Sequence, residues 1–189
     1  SLTGVSVGGL PDGIVDTDML AADSVTASKI GSKTFTSYAV LADVKGVNAD
    51  GGTFTAGAWR TRDLNTEITD PDGIVSISSN QFTLAAGTYF IEGLASACQV
   101  NAIQTRIYNA TDSSVVQLGT AEYAGSGSNH PTQQSFVKGR VTISGTKAFE
   151  LQHYCTTTQA TYGMGVGVSG GFNLGTTTIF TLVTIHKEA

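Results

Sequence analysis

The chain has 189 residues, enough for one domain with a substantial core, since a chain near this size buries about 70% of the surface it exposes when unfolded. Only 13% of the residues are charged and the net charge is -5, which argues against a nucleic-acid partner, because that affinity rests on Lys and Arg neutralising phosphates. No apolar run approaches the ~20 residues of a membrane-spanning helix and no basic-then-apolar leader opens the chain, so a soluble protein without membrane insertion is expected.

The first element is a short echo. Asp12-Gly13-Ile14-Val15-Asp16-Thr17-Asp18-Met19 returns eleven residues later as Asp23-Ser24-Val25-Thr26-Ala27-Ser28-Lys29-Ile30, with Ile14 matched to Val25 and Met19 to Ile30. Neither copy has enough apolar surface to fold alone, so several chains must wrap together to bury it. Asp16 and Ser24 are N-cap residues for a turn or two of helix each. Residues 1–33 are therefore expected to form a helical or irregular stalk, joined at Gly31-Ser32-Lys33 to a head domain over 34–189; an untidy linker is the alternative.

From Thr34 onward the pattern has period two, the signature of half-buried strands. Tyr38, Val40, Ala42 and Val44 alternate with more polar residues, as do Phe149, Leu151, His153 and Cys155. Turn chemistry separates the runs at 48–52, at Pro71-Asp72-Gly73, at Asn109-Ala110-Thr111-Asp112 and at Ser169-Gly170-Gly171. This spacing predicts an all-β, two-sheet sandwich. Gly163, Gly165 and Gly167 alternate with Met164, Val166 and Val168, predicting a strand with one bare face that another backbone approaches, or a tight bend. In the last strand, Ile179, Val183 and Ile185 share one face while Phe180 and Leu182 share the other. A strand apolar on both faces needs cover on both, either from a neighbouring subunit or from a loop of its own chain.

Two stretches go beyond composition: Ala58-Trp59-Arg60-Thr61-Arg62-Asp63-Leu64-Asn65 and Asn80-Gln81-Phe82-Thr83-Leu84-Ala85-Ala86-Gly87-Thr88-Tyr89-Phe90-Ile91. Together with Arg106-Ile107-Tyr108-Asn109-Ala110-Thr111, Gly119-Thr120-Ala121 and the terminal strand 179–187, they resemble the C-terminal domains of bacteriophage tail-fibre and related virion fibre proteins. The resemblance implies a jelly roll of the complement-globular-head and tumour-necrosis-factor type, assembled as a homotrimer that recognises a host cell surface. On this reading Phe82, Leu84, Tyr89 and Ile91 fill the core around Gly87, and Arg62 bridges to a carboxylate. Trp59, Phe180 and Leu182 are core or trimer-interface residues.

Candidate chemistry is sparse. His153 and Cys155 share a strand face at a spacing that suits two metal ligands, but zinc needs four and no second cluster accompanies them, so they read as core and no metal or cofactor is expected. Cys98 and Cys155 are either free or joined as a disulfide. Glu92 shares parity with Phe90 and Leu94, so it faces either solvent or an interior or interface where it needs a partner such as Arg62 or Arg106. Nothing pairs Glu92, Glu122 and Glu150 across a scissile bond, and no base is poised beside a Ser or Thr, so the chain reads as no enzyme.

The glycine-softened loop 122–131, with Tyr123, Asn129 and His130, is the first candidate contact surface, and 156–162, with Tyr162, is the second. The expected function is a trimeric receptor-binding tip on the virion that holds a host polysaccharide or outer-membrane protein by multivalent adhesion. The alternatives are a structural head-fibre, decoration or trimerisation cap without host binding, and a secreted bacterial adhesin of the same fold.

Overall fold

The computed structural model describes residues 35–125, 127, 129–167 and 175–189. The stalk echo, its two caps and the turn at 169–171 lie outside the described residues.

Among the described residues eleven strands follow in order: β1 (Phe35–Gly46), β2 (Arg60–Thr61), β3 (Thr66–Thr69), β4 (Val75–Ser78), β5 (Gln81–Leu84), β6 (Gly87–Cys98), β7 (Ala102–Asn109), β8 (Ser114–Tyr123), β9 (Thr132–Ile143), β10 (Lys147–Cys155) and β11 (Thr177–Glu188). Sheet one has the order β3-β1-β11-β6-β9 and sheet two the order β4-β5-β10-β7-β8, with β2 continuing on β10 where β5 ends. From β5 on, each connection except β7 to β8 passes from one sheet to the other, so hydrogen-bonded neighbours are distant in sequence. That wiring is a jelly roll.

The core forms where the inward parities of the two sheets meet. Leu41, Val183, Ile185, Tyr89, Ile91 and Val137 from sheet one pack on Phe82, Leu84, Phe149, Leu151 and Ile107 from sheet two. Phe82 and Phe149 stack at 5.7 Å between centroids. The expected core set around Gly87 is thus in place: Phe82, Leu84, Tyr89 and Ile91 are all buried. A smaller cluster, including Phe54, Val100, Ile103, Ala124 and Cys155, fills one end of the sandwich.

A polar seam runs through the interior. Thr181, Ala95 and Ser135 are register neighbours across sheet one, and His153 faces Thr105 across sheet two. Thr105 Oγ1 and Ser135 Oγ meet at 2.9 Å, and Arg62 Nε donates to Thr181 Oγ1 at 3.0 Å. Arg62 Nη2 also donates to the carbonyl of Met164, at 2.9 Å, tying the loop after β10 to both sheets.

Several expectations change here. Among the described residues Arg62 forms no salt bridge with a carboxylate; it is fully buried and bonds a hydroxyl and carbonyls, with Asp43 and Asp63 near enough to act only through charge. Burial lowers Arg62 to about 10, so it stays charged at neutral pH. In β11 the face-sharing of Ile179 with Val183 and Ile185 fails, because a bulge against β1 pairs Val44 with Ile179 and Asp43 with Thr181, leaving Phe180 as the extra residue. Ile179 is consequently exposed. Residues 161–167 form no strand, yet the close approach expected there is real: a Cβ on Gly163 would sit 2.5 Å from the Gln159 carbonyl, and one on Gly165 would sit 2.2 Å from the Phe180 ring.

Candidate functional site

One end of the sandwich gathers the loops 47–59, 99–101, 124–131 and 156–167. The other end holds Phe35, where the preceding chain joins, opposite Glu188. The two candidate loops are neighbours. His130 and Tyr162 meet edge to face with centroids 4.9 Å apart. Beneath them Gln99 Oε1 accepts from Tyr162 Oη at 2.7 Å and from Gln159 Nε2 at 2.9 Å, and Gln99 Nε2 donates to the carbonyl of Gly127. Tyr123 Oη donates to Asn101 Oδ1 at 3.2 Å, while the residue stays 68% exposed. Asn129 is exposed, and Ser126 and Ser128 lie outside the described residues.

Backbone strain concentrates at this end. Asn48, Gln99, Asn101, His130 and Thr161 all have φ between 50° and 72°, the left-handed region that non-glycine residues rarely enter. Such turns persist because their neighbours hold them. Phe54 and Gln159 exchange both backbone hydrogen bonds, at 2.9 and 3.0 Å, and Gly51 N donates to Gly165 O at 2.7 Å. The loops are thus zipped together over the small apolar cluster and the Arg62 anchor.

A second feature is the outer face of sheet one. Leu94, Phe136 and Leu182 line a shallow depression with the stem of Lys138 and with Glu92. Tyr38 and Phe136 are 46% and 43% exposed, and Phe35 lies against the His186 ring at 4.7 Å. Glu92 faces outward here, and its partner is Lys138 at 2.5 Å, neither Arg62 nor Arg106. The adjoining edge strand β8 is wet on both faces, with Leu118 at 50% exposure. At this edge a Cβ on Gly119 would come within 2.3 Å of the Phe136 carbonyl, so β8 closes on β9 because residue 119 has no side chain.

The three residues expected in core or interface divide. Phe180 is buried by its own chain, against Gly165; Leu182 stays half-buried on the outer face of sheet one; Trp59 belongs to neither core cluster. Trp59 is half-buried beside Tyr154 and Arg106, a set no local pattern signals because it joins separate parts of the chain. His153 is buried against Phe54 at 4.8 Å, and both cysteines are free and buried. Burial pushes the Cys155 thiol up to about 11, keeping it in its unreactive protonated form. Among the described residues no three His, Cys, Asp or Glu side chains group as metal ligands.

No protein-family model and no curated protein matches the sequence. Solved structures similar to the chain include the globular domain of zebrafish complement 1qA, with a TM-score of 0.48 at 10% identity over 79% of this chain and 95% of that one. Murine APRIL at pH 8.0 has a TM-score of 0.48 at 8% identity, covering 79% of this chain and 98% of that one. The pH 5.0 form of APRIL gives 0.49 at 7%, with the same coverage. The fold assignment rests on the strand wiring given above.

Proposed function

We propose that this chain is the receptor-binding tip of a phage tail fibre, exposed on the virion and acting as a homotrimer. The observation that carries the reading is the meeting of loops 122–131 and 156–162 at the end opposite Phe35. Tyr123, Asn129, His130 and Tyr162 offer rings and amides on a strained, hydrogen-bonded base, which suits a polysaccharide or an outer-membrane protein and costs little ordering entropy on binding. Trimerisation supports this chemistry, because three weak sites on one axis gain avidity. The apolar outer face of sheet one, with Leu182, is the surface a neighbouring copy covers.

The test is binding of the purified protein to a panel of intact bacteria, with molar mass measured in the same preparation. The expected result is a trimer that binds one strain, loses that binding when surface polysaccharide is stripped, and is weakened about tenfold by Tyr162→Ala. A micromolar monomer, or a trimer that binds no strain, overturns it. The apolar face by itself also supports a second reading, a trimerisation or decoration cap. That cap predicts unchanged adsorption but failed fibre assembly when residues 34–189 are deleted.

A further inference from the structure

The outer face of sheet two carries a separate, built arrangement. The Arg106 guanidinium stands between two rings, 4.2 Å from the Trp59 centroid and 4.7 Å from that of Tyr108. Its Nε donates to Gln152 Oε1 at 2.8 Å, and Gln152 Nε2 in turn donates to Glu150 Oε2 at 2.5 Å. Glu150 is held from the other side by Thr61 Oγ1 and Gln81 Nε2, each at 2.8 Å. The relay orients the guanidinium: its carbon lies over both rings, and Gln152 anchors its Nε edge. What remains is the Nη edge, for which no described residue supplies a hydrogen-bond acceptor.

A rigid fork of N–H donors is the geometry that matches a carboxylate through two parallel bonds. Glu150 acts on Arg106 through charge, but its oxygens are occupied by three donors from Thr61, Gln81 and Gln152, so it does not compete for the Nη hydrogen bonds a guest carboxylate would make. Beside the fork, Trp59 and Tyr154 stand 5.6 Å apart at 57°, an aromatic wall of the kind on which the C–H face of a sugar ring stacks. We propose that the Arg106 fork and the Trp59–Tyr154 wall form a lateral site for a carboxylated sugar unit of an acidic polysaccharide. It lies on the flank of the sandwich, apart from the loop end, and does not depend on the phage reading.

The experiment is calorimetric titration of the full chain with uronate- and sialate-containing oligosaccharides, each paired with its carboxyl-reduced neutral counterpart. The expected result is binding of at least one acidic probe, with the neutral counterpart and Arg106→Lys each weaker by about tenfold or more, since Lys keeps the charge and loses the fork. Tyr154→Ala, which removes part of the wall and leaves the relay intact, is expected to weaken binding as well. Tyr162→Ala at the loop end is expected to leave it unchanged. Melting curves confirm that each variant is folded. The proposal is overturned by no binding of any acidic probe at millimolar concentration, by equal binding of the neutral probes, or by displacement with inorganic phosphate as effectively as with the sugar. Loss of binding in Tyr162→Ala with Arg106→Lys unaffected also overturns it, and moves the sugar to the loops.

Discussion

On the outer face of sheet one, register neighbours run Tyr38, His186, Phe90, Arg140 in one row and Ala42, Leu182, Leu94, Phe136 in another, with Val40, Thr184, Glu92, Lys138 between them. On the outer face of sheet two the corresponding surface is Gln81, Glu150, Gln152 and Arg106, hydrogen-bonded to one another and capped by aromatic rings. Both faces belong to strands whose other side fills the same core. Sheet two ties these polar groups to one another and leaves the Nη edge of Arg106 open, whereas sheet one leaves carbon exposed between the ion pairs Glu92–Lys138 and Arg140–Glu188. The difference teaches that two flanks of one core offer different chemistry: exposed carbon on one, hydrogen-bonded polar groups on the other.

The strongest way to break this contrast is a charge on sheet one. Leu182→Lys places an ammonium where the proposed neighbour packs, at an expected cost of about 3 kcal/mol or more per interface, repeated in each copy. Sedimentation should then report a single chain of 19.5 kDa, while Thr83→Lys on sheet two leaves the mass unchanged. If both variants keep the wild-type mass, sheet one is not the interface.

Between the flanks, Arg62→Ala removes the tie from the loop after β10 to Thr181, while Asp43 keeps its ion pair with Lys45 at 3.1 Å. A loss of about 3–5 kcal/mol is expected in denaturant unfolding, from two hydrogen bonds made by a charged donor at about 1.5–3 kcal/mol each, without a change in the surface chemistry of either sheet. A loss below 1 kcal/mol, a figure about the size of one ordinary hydrogen bond, would show that the seam is dispensable.

A smaller effect is pH-dependent. Burial, reinforced by the Arg62 charge, holds His153 well below its usual range, so the unfolded chain takes up a proton near pH 6.5 that the folded chain refuses. The His153 contribution is therefore intact above about 6.5 and is lost as pH falls from there toward the folded value, at up to ~1.4 kcal/mol per pH unit. His153→Phe should flatten unfolding free energy between about pH 6.5 and 5, above the ordinary carboxylate range. An unchanged slope in that variant would assign the acid sensitivity elsewhere.

The smallest effect belongs to sheet two. Trp59→Ala removes one aromatic contact of the Arg106 guanidinium and should cost about 1 kcal/mol of stability, with the mass retained. A change in mass would place Trp59 in an interface after all and erase the contrast between the flanks.

Much of the sandwich was legible along the chain, but faces were read more easily than sides. The alternation of Phe149, Leu151, His153 and Cys155 marks an inward face, and all four are buried. The alternation of Tyr38, Val40 and Ala42 was equally clear, yet it marks the outer face, while Ala39 and Leu41 point to the core. The three glycines at 163–167 announced a close approach without saying that a loop makes it. The bulge at Phe180 was invisible, because it arises from the register of β1 against β11. Tyr162 and His130 were each singled out as loop residues, but their contact depends on two connections separated by the whole of β9 and β10.

The sequence by itself determined that the chain forms strands, where most of them turn, and that its few charges leave little for electrostatic binding. These are local properties: side-chain alternation, turn propensities and composition act within a few residues. Only the tertiary structure decided which parity meets the other sheet, that Arg62 is sealed inside, and that Trp59, Arg106 and Gln152 share a surface. A period of two separates the faces of a strand but is symmetric between them. The symmetry is broken only by long-range pairing, in which strands distant along the chain supply the opposing surface that one face can bury.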